Sequence, residues 1–527
     1  MKPFRLFLLL LFTASAAAQQ PVVFPDDFRT GALDGKTVTI TNTLTLTNNY
    51  SFASGSVTFS AGTLWTPTEK HLPSAAMFEQ QNAANAANQL FVRRGNFSFT
   101  DADGTCRIGQ TATSLTGTLR QSGDRYTLTL TRAPQLVGNP RPTSCEQEGS
   151  NLKVVSFNLE HFNADSLSYQ VKAQKLLAAF EALHADIYAV CEVEGILALE
   201  NLCTKLNQLF PADDYRTEAY DDNRTGMCCF LYNNAVVAPV GTITQNKLAS
   251  NYLPQRKVAL GFRLRANDER FIVCMNHWKS KAGTNVPDAY QDKGDGQGAY
   301  NPRRVQEAEA TLKFLQTICT VYDDPDVLLV GDLNAYSQED PVRLLTRSGA
   351  LVNQLQRYAP NEYSYAYYSN NSYAVGYLDH SLTTASLDTQ VLRAVPFRIN
   401  ADEPSRLDIG SSGVQANNMY RCSDHNPIVT FLRLDTSTGT TSPAQAATRM
   451  RILSRPQKEE IAILCPDAFA PVRVNVWSID GRLLLSVPVE NKDAHRFTMS
   501  VGQLPSGFYL LVAQDGEGRN LTEKFGK

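Results

Sequence analysis

Between residues 151 and 435 the chain alternates long apolar runs with segments of helical periodicity. The runs LKVVSF, DIYAVC, FIVCM and DVLLVG are too continuous for strands with one exposed face, so both of their faces must be covered. Helices are expected over roughly residues 168–184 and from near Arg303, the first burying Leu176, Leu177, Phe180 and Leu183. The pattern predicts a layered α/β domain.

Both flanks show the period-two alternation of strands with one buried and one solvated face. In residues 19–150, KTVTITNTLTLTNNY and RYTLTLT predict a small antiparallel sandwich or barrel, and residues 78–90 a loop or short helix. A structural module is favoured there over an oligonucleotide-binding barrel. Residues 436–449 have linker composition, and residues 450–527 return to short strands with a hairpin turn at Asp480-Gly481.

The first eighteen residues have the features of a secretory signal peptide. Lys2 and Arg5 flank an apolar run from Leu6 to Phe12, and Ala16-Ala17-Ala18 offers a cleavage site. The run is shorter than the ~20 apolar residues that span a membrane. An exported chain without stable membrane insertion is therefore expected.

Ten cysteines in an exported chain could form disulfide bonds. Cys106 and Cys145 are the two that precede residue 150, and we expect them to pair. The other eight show no CxxC spacing, which disfavours a thiolate zinc site.

A net charge of −3 gives the chain no basic field of the kind that carries nonspecific nucleic-acid affinity. An anionic substrate must then be met locally, by a metal ion or a few cationic side chains.

Each buried run of the middle domain ends in a polar residue that a strand core would not choose. These residues are Asn158, Glu192, Asn276 with His277, and Asp332 with Asn334. Asp424 and His425 instead precede their strand, expected over 427–432, so that strand must run antiparallel for all groups to meet at one rim. A turn or helix cap is the alternative for each motif taken singly, but the repetition at several strand ends favours a site.

The chemistry of this set points to a hard metal ion and a phosphate ester. Four carboxylates, those of Glu192, Asp332, Asp379 and Asp424, would repel one another without a cation. Oxygen ligands suit magnesium first, with manganese or calcium as alternatives. His277 and His425 can act as general acid and base near neutral pH, so hydrolysis of a phosphate ester is the expected reaction.

Six motifs in order, SFNLEHF, CEVEG, NHWKSK, GDLNA, YLDH and SDHNPI, resemble the endonuclease/exonuclease/phosphatase family. That superfamily includes pancreatic-type deoxyribonuclease, abasic-site endonucleases, neutral sphingomyelinases and inositol polyphosphate phosphatases. The loop DKGDGQGAYNPRR is similar to that of its secreted bacterial nucleases. The expected fold is α/β: a four-layer α/β sandwich with mixed β-sheets over residues 151–435, flanked by two small all-β domains.

The resemblance implies a role for each motif residue. Asn158, Glu192 and Asp424 would bind the metal. Asp332 would orient or deprotonate the attacking water, and Asn334 would hold the scissile phosphate. Asp379 would orient His425, and His277 would act as general acid or phosphate donor, with the division between the two histidines left open.

Cationic and aromatic side chains near the motifs could bind the substrate or could have only a structural role. The resemblance implies that Arg304 and Lys279 are phosphate-binding cations, whereas Lys281 and Arg303 could equally be solvated. The alternating Tyr363, Tyr365 and Tyr367 predict one face of a strand rather than a base-stacking platform.

The last part of the chain, from about residue 450, resembles a C-terminal sorting domain of the bacterial type IX secretion system. SIDGRLLLS, LPSGFYLLV and the closing Lys524-Phe525-Gly526-Lys527 carry this resemblance. The alternative is a small β-sandwich that binds carbohydrate or protein. The resemblance implies a secreted or surface-attached protein that uses the type IX machinery.

Three functions are compatible with these features. The first is a secreted, divalent-metal-dependent nuclease acting on DNA, with RNA as a second substrate. The second is a phosphodiesterase or phosphatase acting on phospholipid headgroups or small phosphate esters, and the third is a catalytically inert surface-binding protein. The intact set of motif residues favours an enzyme; the oligomeric state stays open.

Overall fold

The computed structural model describes residues 20–527 apart from 101–103, 164–166, 221–225, 247–256, 284, 348, 370–371, 412, 436–449, 453–459, 467–468, 490–495 and 506. The expected signal peptide and linker lie outside the described residues. The chain divides into two compact units, Met1–Thr63 with Ala86–Asn139 and Leu64–Asn85 with Pro140–Lys527. In the described part of the chain, helices long and apolar enough to cross a membrane are not found.

The first unit contains one eight-stranded sheet in the order β1-β2-β7-β8-β5-β4-β3-β6. Its strands are β1 (Gln20–Val22), β2 (Thr37–Ile40), β3 (Leu44–Asn48), β4 (Ser56–Ser60), β5 (Leu90–Arg93), β6 (Thr111–Ala112), β7 (Thr116–Ser122) and β8 (Arg125–Leu130). The period-two pattern is confirmed, since Val38, Ile40, Leu44 and Leu46 are all buried. The expectation of a purely antiparallel sheet was wrong, because β1 pairs with β2 and β5 with β8 in parallel.

The expected disulfide bond between Cys106 and Cys145 was also wrong. Among the described residues the two thiols are not joined. The expectation placed both cysteines in one β-domain, whereas Cys106 belongs to the first unit and Cys145 to the second. Cys145 instead packs against the core that lies beneath the helices of the second unit.

The second unit contains two six-stranded sheets, ordered β11-β12-β10-β9-β22-β21 and β13-β14-β15-β16-β20-β17. The strands are β9 (Leu152–Asn163), β10 (Ile187–Glu194), β11 (Tyr215–Ala219), β12 (Met227–Asn233), β13 (Val237–Gln245), β14 (Lys257–Leu264), β15 (Arg270–His277), β16 (Val327–Asp332), β17 (Val352–Asn353), β18 (Tyr365–Ser369), β19 (Ser372–Gly376), β20 (Asp379–Thr383), β21 (Val391–Pro396) and β22 (Ile428–Leu432). Strands β18 and β19 form a separate hairpin.

The helices of this unit are α1 (Pro67–Lys70), α2 (Ala75–Ala87), α3 (Leu167–Leu183), α4 (Ile196–Leu209), α5 (Asn301–Tyr322), α6 (Asp340–Thr346), α7 (Gln354–Tyr358) and α8 (Ala385–Asp388). Short 3-10 helices cover Asp26–Thr30, Phe52–Ser54, Asp288–Tyr290 and Ser405–Leu407. Helices α3 and α5 confirm the two expected in the middle domain, and α2 shows that residues 78–90 are mostly helical. Leu176, Phe180 and Leu183 are fully buried on α3 as expected, whereas Leu177 is partly buried.

Side-chain alternation along the strands builds four layers. On β9, Val155 and Phe157 pack against α3 and α4, whereas Leu152 and Val154 point into the core between the two sheets. On the far side, α5 and α6 cover the second sheet around Ile272, Leu329 and their neighbours. Fully burying each such side chain contributes ~1.5–3 kcal/mol. This is the predicted four-layer α/β sandwich.

Mixed strand directions bring the polar strand ends to one rim. Parallel β15 and β16 place His277 opposite Asp332, and antiparallel β20 places Asp379 opposite Asp332. Parallel β9 and β10 align Asn158 with Cys191, which directly precedes Glu192. Strand β22 runs antiparallel to β9, as predicted, so residues before it reach the same rim.

Residues after 450 form a three-stranded and a four-stranded sheet, ordered β23-β24-β27 and β26-β25-β28-β29. The strands are β23 (Arg451–Ile452), β24 (Glu460–Leu464), β25 (Pro471–Ser478), β26 (Leu483–Pro488), β27 (Arg496–Ser500), β28 (Phe508–Asp515) and β29 (Asn520–Gly526). Antiparallel β25 and β26 confirm the expected hairpin, and Gly481 in its turn has a φ of +77°. The fold as a whole is thus mixed α/β with additional β-rich parts.

Candidate active site

Asn158, Glu192, His277 and Asp332 converge at the rim. The Asn158 amide donates to Glu192 Oε1 at 3.0 Å and to Asp332 Oδ2 at 3.2 Å. His277 Nε2 lies 3.5 Å from Glu192 Oε1 and 3.7 Å from Asp332 Oδ2. Residues that stand far apart in sequence therefore form one contact cluster.

The end of β16 can be built only with glycine at position 331. Gly331 has a φ of +128°, and a Cβ added there would lie 1.9 Å from the Asn276 carbonyl oxygen on the neighbouring strand. Close backbone approach at this point sets Asp332 beside His277. The glycine of GDLN is thus required by strand packing.

Glu192 reaches the rim through an irregularity in β10. The pairing register of β10 shifts between residues 190 and 193, and Glu192 has a φ of +57°. A left-handed conformation costs a residue other than glycine roughly 1–2 kcal/mol, and such strain concentrates where a side chain must be aimed. The Glu192 side chain is 17% exposed, so it lies at the open side of the cluster.

His425 and Asp379 form a buried pair. His425 Nδ1 lies 2.7 Å from Asp379 Oδ2, and both residues are almost fully buried. Asp424 Oδ1 lies 3.9 Å from His425 Nε2, and its side chain is one-third exposed. Burial opposes a charge on the imidazole, but the carboxylates of Asp379, Asp424 and Asp332 outweigh it and hold the pKa of His425 well above its usual value. These surroundings favour the protonated imidazole, which can donate a proton.

Asp332 is the acid at the centre of the cluster. Its pKa is raised to about 7, chiefly by burial and also by the charges of Asp379 and Glu192, while His425 and the Asn334 backbone N–H act in the opposite direction. That N–H donates to Asp332 Oδ1 at 2.8 Å. A carboxylate with a pKa near neutrality is suited to taking a proton from water.

Asn334 contacts Asp332 as well as its own loop. Its amide donates to Asp332 Oδ2 at 3.0 Å and to the Trp278 carbonyl at 3.1 Å. A φ of +48° turns its backbone so that both bonds form, and asparagine tolerates this conformation better than most residues. In this arrangement Asn334 orients Asp332.

The cluster suits a divalent cation. Ligand atoms of Glu192, His277 and Asp332 lie within 4.8 Å of one another, and so do those of Asp332, Asp379 and His425. The donors are mainly carboxylate oxygens in a buried setting, which a hard cation would stabilise in the ionised form. Glu192, at the open side of the cluster, would hold the cation. Asn158 lies beside Glu192 and Asp332, but its amide oxygen accepts from the Glu160 N–H at 2.9 Å, which points its NH₂ group at both carboxylates.

Arg304 and Lys279 occupy different environments. Arg304 is fully buried, and its guanidinium donates to the carbonyls of Lys279, Ala299 and Gln297. The expected phosphate contact is incompatible with this burial, so Arg304 instead fixes the loop before α5. The Lys279 ammonium remains near the surface, 4.3 Å from the centre of the Tyr300 ring.

Two further side chains support the site without having been expected there. The Tyr365 ring packs on His425 with centroids 4.6 Å apart, although its alternation with Tyr363 and Tyr367 predicts only a strand face. Ser423 donates to the Asn158 carbonyl at 2.7 Å and accepts from the His425 N–H at 3.3 Å. Adjacency in SDH was a signal for Ser423, whereas the contact of Tyr365 with His425 depends on how the β18–β19 hairpin folds, which the sequence pattern does not predict.

A family model described as the Endonuclease/Exonuclease/phosphatase family matches residues 155–425, from β9 to His425. The chain belongs to this family. Enzymes of the endonuclease/exonuclease/phosphatase family hydrolyse phosphate esters and typically depend on a divalent metal, so the chain is a phosphate ester hydrolase.

Solved structures of the family's fold align with about half of the chain. A mannosyl-6-phosphatase of Bacteroides thetaiotaomicron is 14% identical, with 53% of this chain and 99% of that chain covered and a TM-score of 0.37. The human Nocturnin catalytic domain with bound sulfate is 14% identical, with 53% of this chain and 93% of that chain covered and a TM-score of 0.36. D. rerio TDP2 complexed with single strand DNA product is 12% identical, with 53% of this chain and 97% of that chain covered and a TM-score of 0.37. A search of curated proteins finds no match.

Proposed function

We propose that the protein is an exported nuclease that hydrolyses phosphodiester bonds of DNA, with RNA as a second substrate. The observation that carries the proposal is the buried Asp332 flanked by two histidines, His277 and the Asp379-held His425. One acid that can accept a proton and two imidazoles that can donate to oxygen are the groups that in-line displacement at phosphorus needs.

Each residue would have a separate task. Asp332, oriented by Asn334, would take the proton of the attacking water. His425, kept charged by Asp379, would donate to the phosphoryl or leaving oxygen, and His277 would supply a second donor. A bound divalent cation, magnesium first and manganese or calcium as alternatives, would polarise the phosphoryl group.

The surface next to the site supports a polymeric substrate. The Tyr290 and Tyr300 rings stack with centroids 5.8 Å apart in the loop that follows NHWKSK, and Lys279 lies over Tyr300. Aromatic rings with a neighbouring cation bind bases and backbone of single strands. TDP2, a structural neighbour, was solved with a single strand DNA product.

A plasmid assay tests the proposal. Purified protein should convert supercoiled plasmid to nicked and linear forms with magnesium or manganese, and excess chelator should stop it. His277→Ala should lose at least about 10²-fold in rate, whereas His184→Gln, at a surface His–Asp pair, should retain the parent rate. Intact plasmid and RNA under every divalent cation would refute the proposal.

A second candidate is hydrolysis of phospholipid headgroups or small phosphate esters. The net charge of −3 and the burial of Arg304 favour it, because both reduce the cationic surface available to a nucleic-acid backbone. Turnover of sphingomyelin or a sugar phosphate, with none on nucleic acid, would decide for this candidate.

We further propose that the N-terminal segment directs export and that residues 450–527 direct type IX secretion. The support is the sequence of residues 1–18 and the resemblance of the closing motifs. In a bacterium that has the type IX machinery, the protein should leave the cell with its N-terminus at Gln19. A chain ending at residue 449 should remain in the periplasm; its release at the parent level would contradict the sorting role.

A further inference from the structure

A segment that lies between β4 and β5 in sequence pairs with a strand of the catalytic domain. This insert, Leu64–Asn85, belongs to the second unit. Trp65 forms a parallel bridge to Val375 on β19, with the Thr66 N–H donating to the Val375 carbonyl and the Val375 N–H to the Leu64 carbonyl, both at 2.9 Å. The insert therefore pairs with the strand that precedes YLDH.

Glu69 of the insert carries a carboxylate that is 1% exposed. Its Oε1 accepts from the Ser337 hydroxyl at 2.8 Å and from the Gln356 amide at 3.1 Å. Its Oε2 accepts from the Tyr377 N–H at 3.1 Å and the Ser337 N–H at 3.3 Å. Four donors thus converge on one buried acid.

Three of the four donors belong to the two loops that carry the catalytic acids, and the fourth, the Gln356 amide, belongs to α7. Ser337 follows Asn334 by three residues, and Tyr377 precedes Asp379 by two. Gly376 makes the approach possible, because a Cβ there would lie 2.7 Å from the Tyr336 ring and 3.3 Å from the Glu69 Cβ. Glu69 consequently bridges the backbone that follows Asp332 to the backbone that leads into Asp379.

Thr68, the residue before Glu69, connects the insert to a third motif, NHWKSK. The Thr68 hydroxyl donates to Glu339 Oε1 at 2.8 Å, and its carbonyl accepts from the Gln338 N–H at 3.0 Å. Glu339 in turn accepts from the Lys281 ammonium of NHWKSK. Glu339 is fully buried, whereas the Lys281 side chain remains 22% exposed.

A residue that merely filled this space would be apolar. Burying a carboxylate is costly, and a buried polar network is usually less stabilising than apolar packing of the same volume. The carboxylate instead fixes the positions of the two loops relative to each other, because it accepts hydrogen bonds from a specific backbone N–H group on each loop. Departures of this kind from packing rules are expected at functional sites.

We infer that Glu69 is a positioning residue for phosphate ester hydrolysis, holding the Asp332 and Asp379 loops in their catalytic arrangement from outside the family domain. The inference rests on the proposed chemistry of the site. Through Ser337, Glu69 fixes the positions of Asp332 and Asn334. Through Tyr377 it fixes the position of Asp379 and hence of His425.

The first test compares full-length Glu69→Ala, Glu69→Gln and the control Glu79→Ala, an exposed glutamate on the same insert. Hydrolysis of bis(p-nitrophenyl) phosphate with magnesium is measured alongside thermal unfolding. Glu69→Ala should lower kcat about 10²-fold with KM changed less than about threefold, since misplacement by about 1 Å costs this much. Glu69→Gln, which can keep the Tyr377 and Ser337 backbone bonds, should recover most of the loss, and Glu79→Ala should match the parent.

The second test does not depend on turnover. Amide hydrogen exchange in Glu69→Ala should accelerate about tenfold or more in peptides covering residues 331–339 and 376–381, but not in α3. If Glu69→Ala does not fold, Glu69→Gln is used and should show a smaller acceleration in the same peptides.

The outcomes separate the two hypotheses. Unchanged exchange in these peptides, or changed exchange with the parent kcat, overturns the role of Glu69. A parent protein that hydrolyses no phosphate ester overturns the proposed function, and faster exchange confined to the two loops would still support the bridge.

Discussion

At the scale of single residues, two hydrogen-bonded His–Asp pairs among the described residues differ in setting. His425 and Asp379 are 2.7 Å apart and buried among further carboxylates. His184 and Asp213 are 2.8 Å apart, but the His184 side chain is 47% exposed. Similar bonds thus hold one imidazole in a charged, enclosed cluster and the other in solvent, and only the first should control catalysis.

Asp379→Asn should lower kcat by about 10²-fold or more, because the imidazole loses the partner that fixes its orientation and charge. It should also move the alkaline limb of the pH–rate profile to lower pH. The sign follows from the Asp379 charge, which raises the pKa of His425; removing it lowers that pKa, so the catalytic proton is lost earlier as pH rises. Profiles of kcat between about pH 6 and pH 10 measure both effects.

The matched control is Asp213→Asn, which breaks the exposed pair. Its profile should overlay that of the parent, since exposed pairs contribute ~0–1 kcal/mol. An alkaline limb that stays in place in Asp379→Asn would show that His425 is not the titrating group.

Arg304→Met should affect stability more than substrate binding. The substitution leaves three buried carbonyls without their donor, which should reduce the free energy of unfolding by roughly 3 kcal/mol. Lys279→Met should change the free energy of unfolding by less than about 0.5 kcal/mol. It should also reduce the slope of log binding constant against log salt concentration for DNA by about one, because one phosphate contact is lost. Urea denaturation and binding at several salt concentrations measure the two effects, and an Arg304→Met protein of parent stability would contradict the assignment.

Prediction from sequence worked best for residues whose position follows from a strand. Asp332 and His277 end buried runs, so strand direction alone brings them together. Arg304 was harder to place, because its exposure depends on how the loop before α5 closes over it. Glu69 belongs to none of the motifs. Its contacts with Ser337 and Tyr377 join residues that are 268 and 308 positions apart in sequence.

At the scale of elements, the apolar runs predicted strands β9, β10, β15 and β16 and the antiparallel direction of β22. Both faces of these strands are buried, so the sequence pattern and the packing agree. In the first unit, alternation predicted which face is buried but not the partner of each strand. Strand β5 pairs with β8 in parallel. The alternation of apolar residues does not predict this pairing, because it shows which face of a strand is buried and not which strand lies beside it.

Gly331→Ala tests how tightly β16 is held against β15. Its added Cβ would meet the Asn276 carbonyl at 1.9 Å, so the strands must separate where His277 faces Asp332. We expect a loss of more than about 2 kcal/mol in unfolding free energy, together with loss of activity. Thermal unfolding and turnover measure the two effects.

Gly294→Ala is the control for backbone conformation alone. Gly294 also has a positive φ, +70°, but a Cβ there would meet nothing within 4 Å. Its substitution should cost about 1 kcal/mol and leave turnover unchanged. Equal effects of the two substitutions would show that strand contact at Gly331 is not the determining factor.

At the scale of the whole molecule, the C-terminal four-stranded sheet contacts the α/β part of the same unit on a side remote from the rim. Lys524 of β29 lies 2.8 Å from Asp326 and 3.9 Å from both Asp324 and Glu269. Asp326 directly precedes β16, whereas Asp332 ends it, and six residues of strand span about 20 Å. The closing segment is therefore anchored without covering the active site.

Lys524→Met should destabilise the protein while leaving turnover at the parent level. Burial disfavours the charge of Lys524, but Asp326 and Asp324 outweigh it and raise its pKa above the usual value. Removing the lysine leaves buried Asp326 without its cation, at a cost of roughly 3 kcal/mol at neutral pH. Thermal unfolding and turnover of parent, Lys524→Met and the exposed control Arg482→Met are the measurements.

The pH dependence of this difference identifies its origin. A lysine whose folded pKa is raised contributes stability that is complete below its unfolded pKa, about 10.4, and is lost as pH rises through the folded pKa. The gap in unfolding temperature between parent and Lys524→Met should thus be constant from neutral pH to about pH 10 and shrink above it, whereas Arg482→Met should follow the parent throughout. A gap that persists undiminished far above pH 10 would indicate that the lysine acts through the packing of its aliphatic chain, and a loss of turnover in Lys524→Met would show that this contact is coupled to the rim after all.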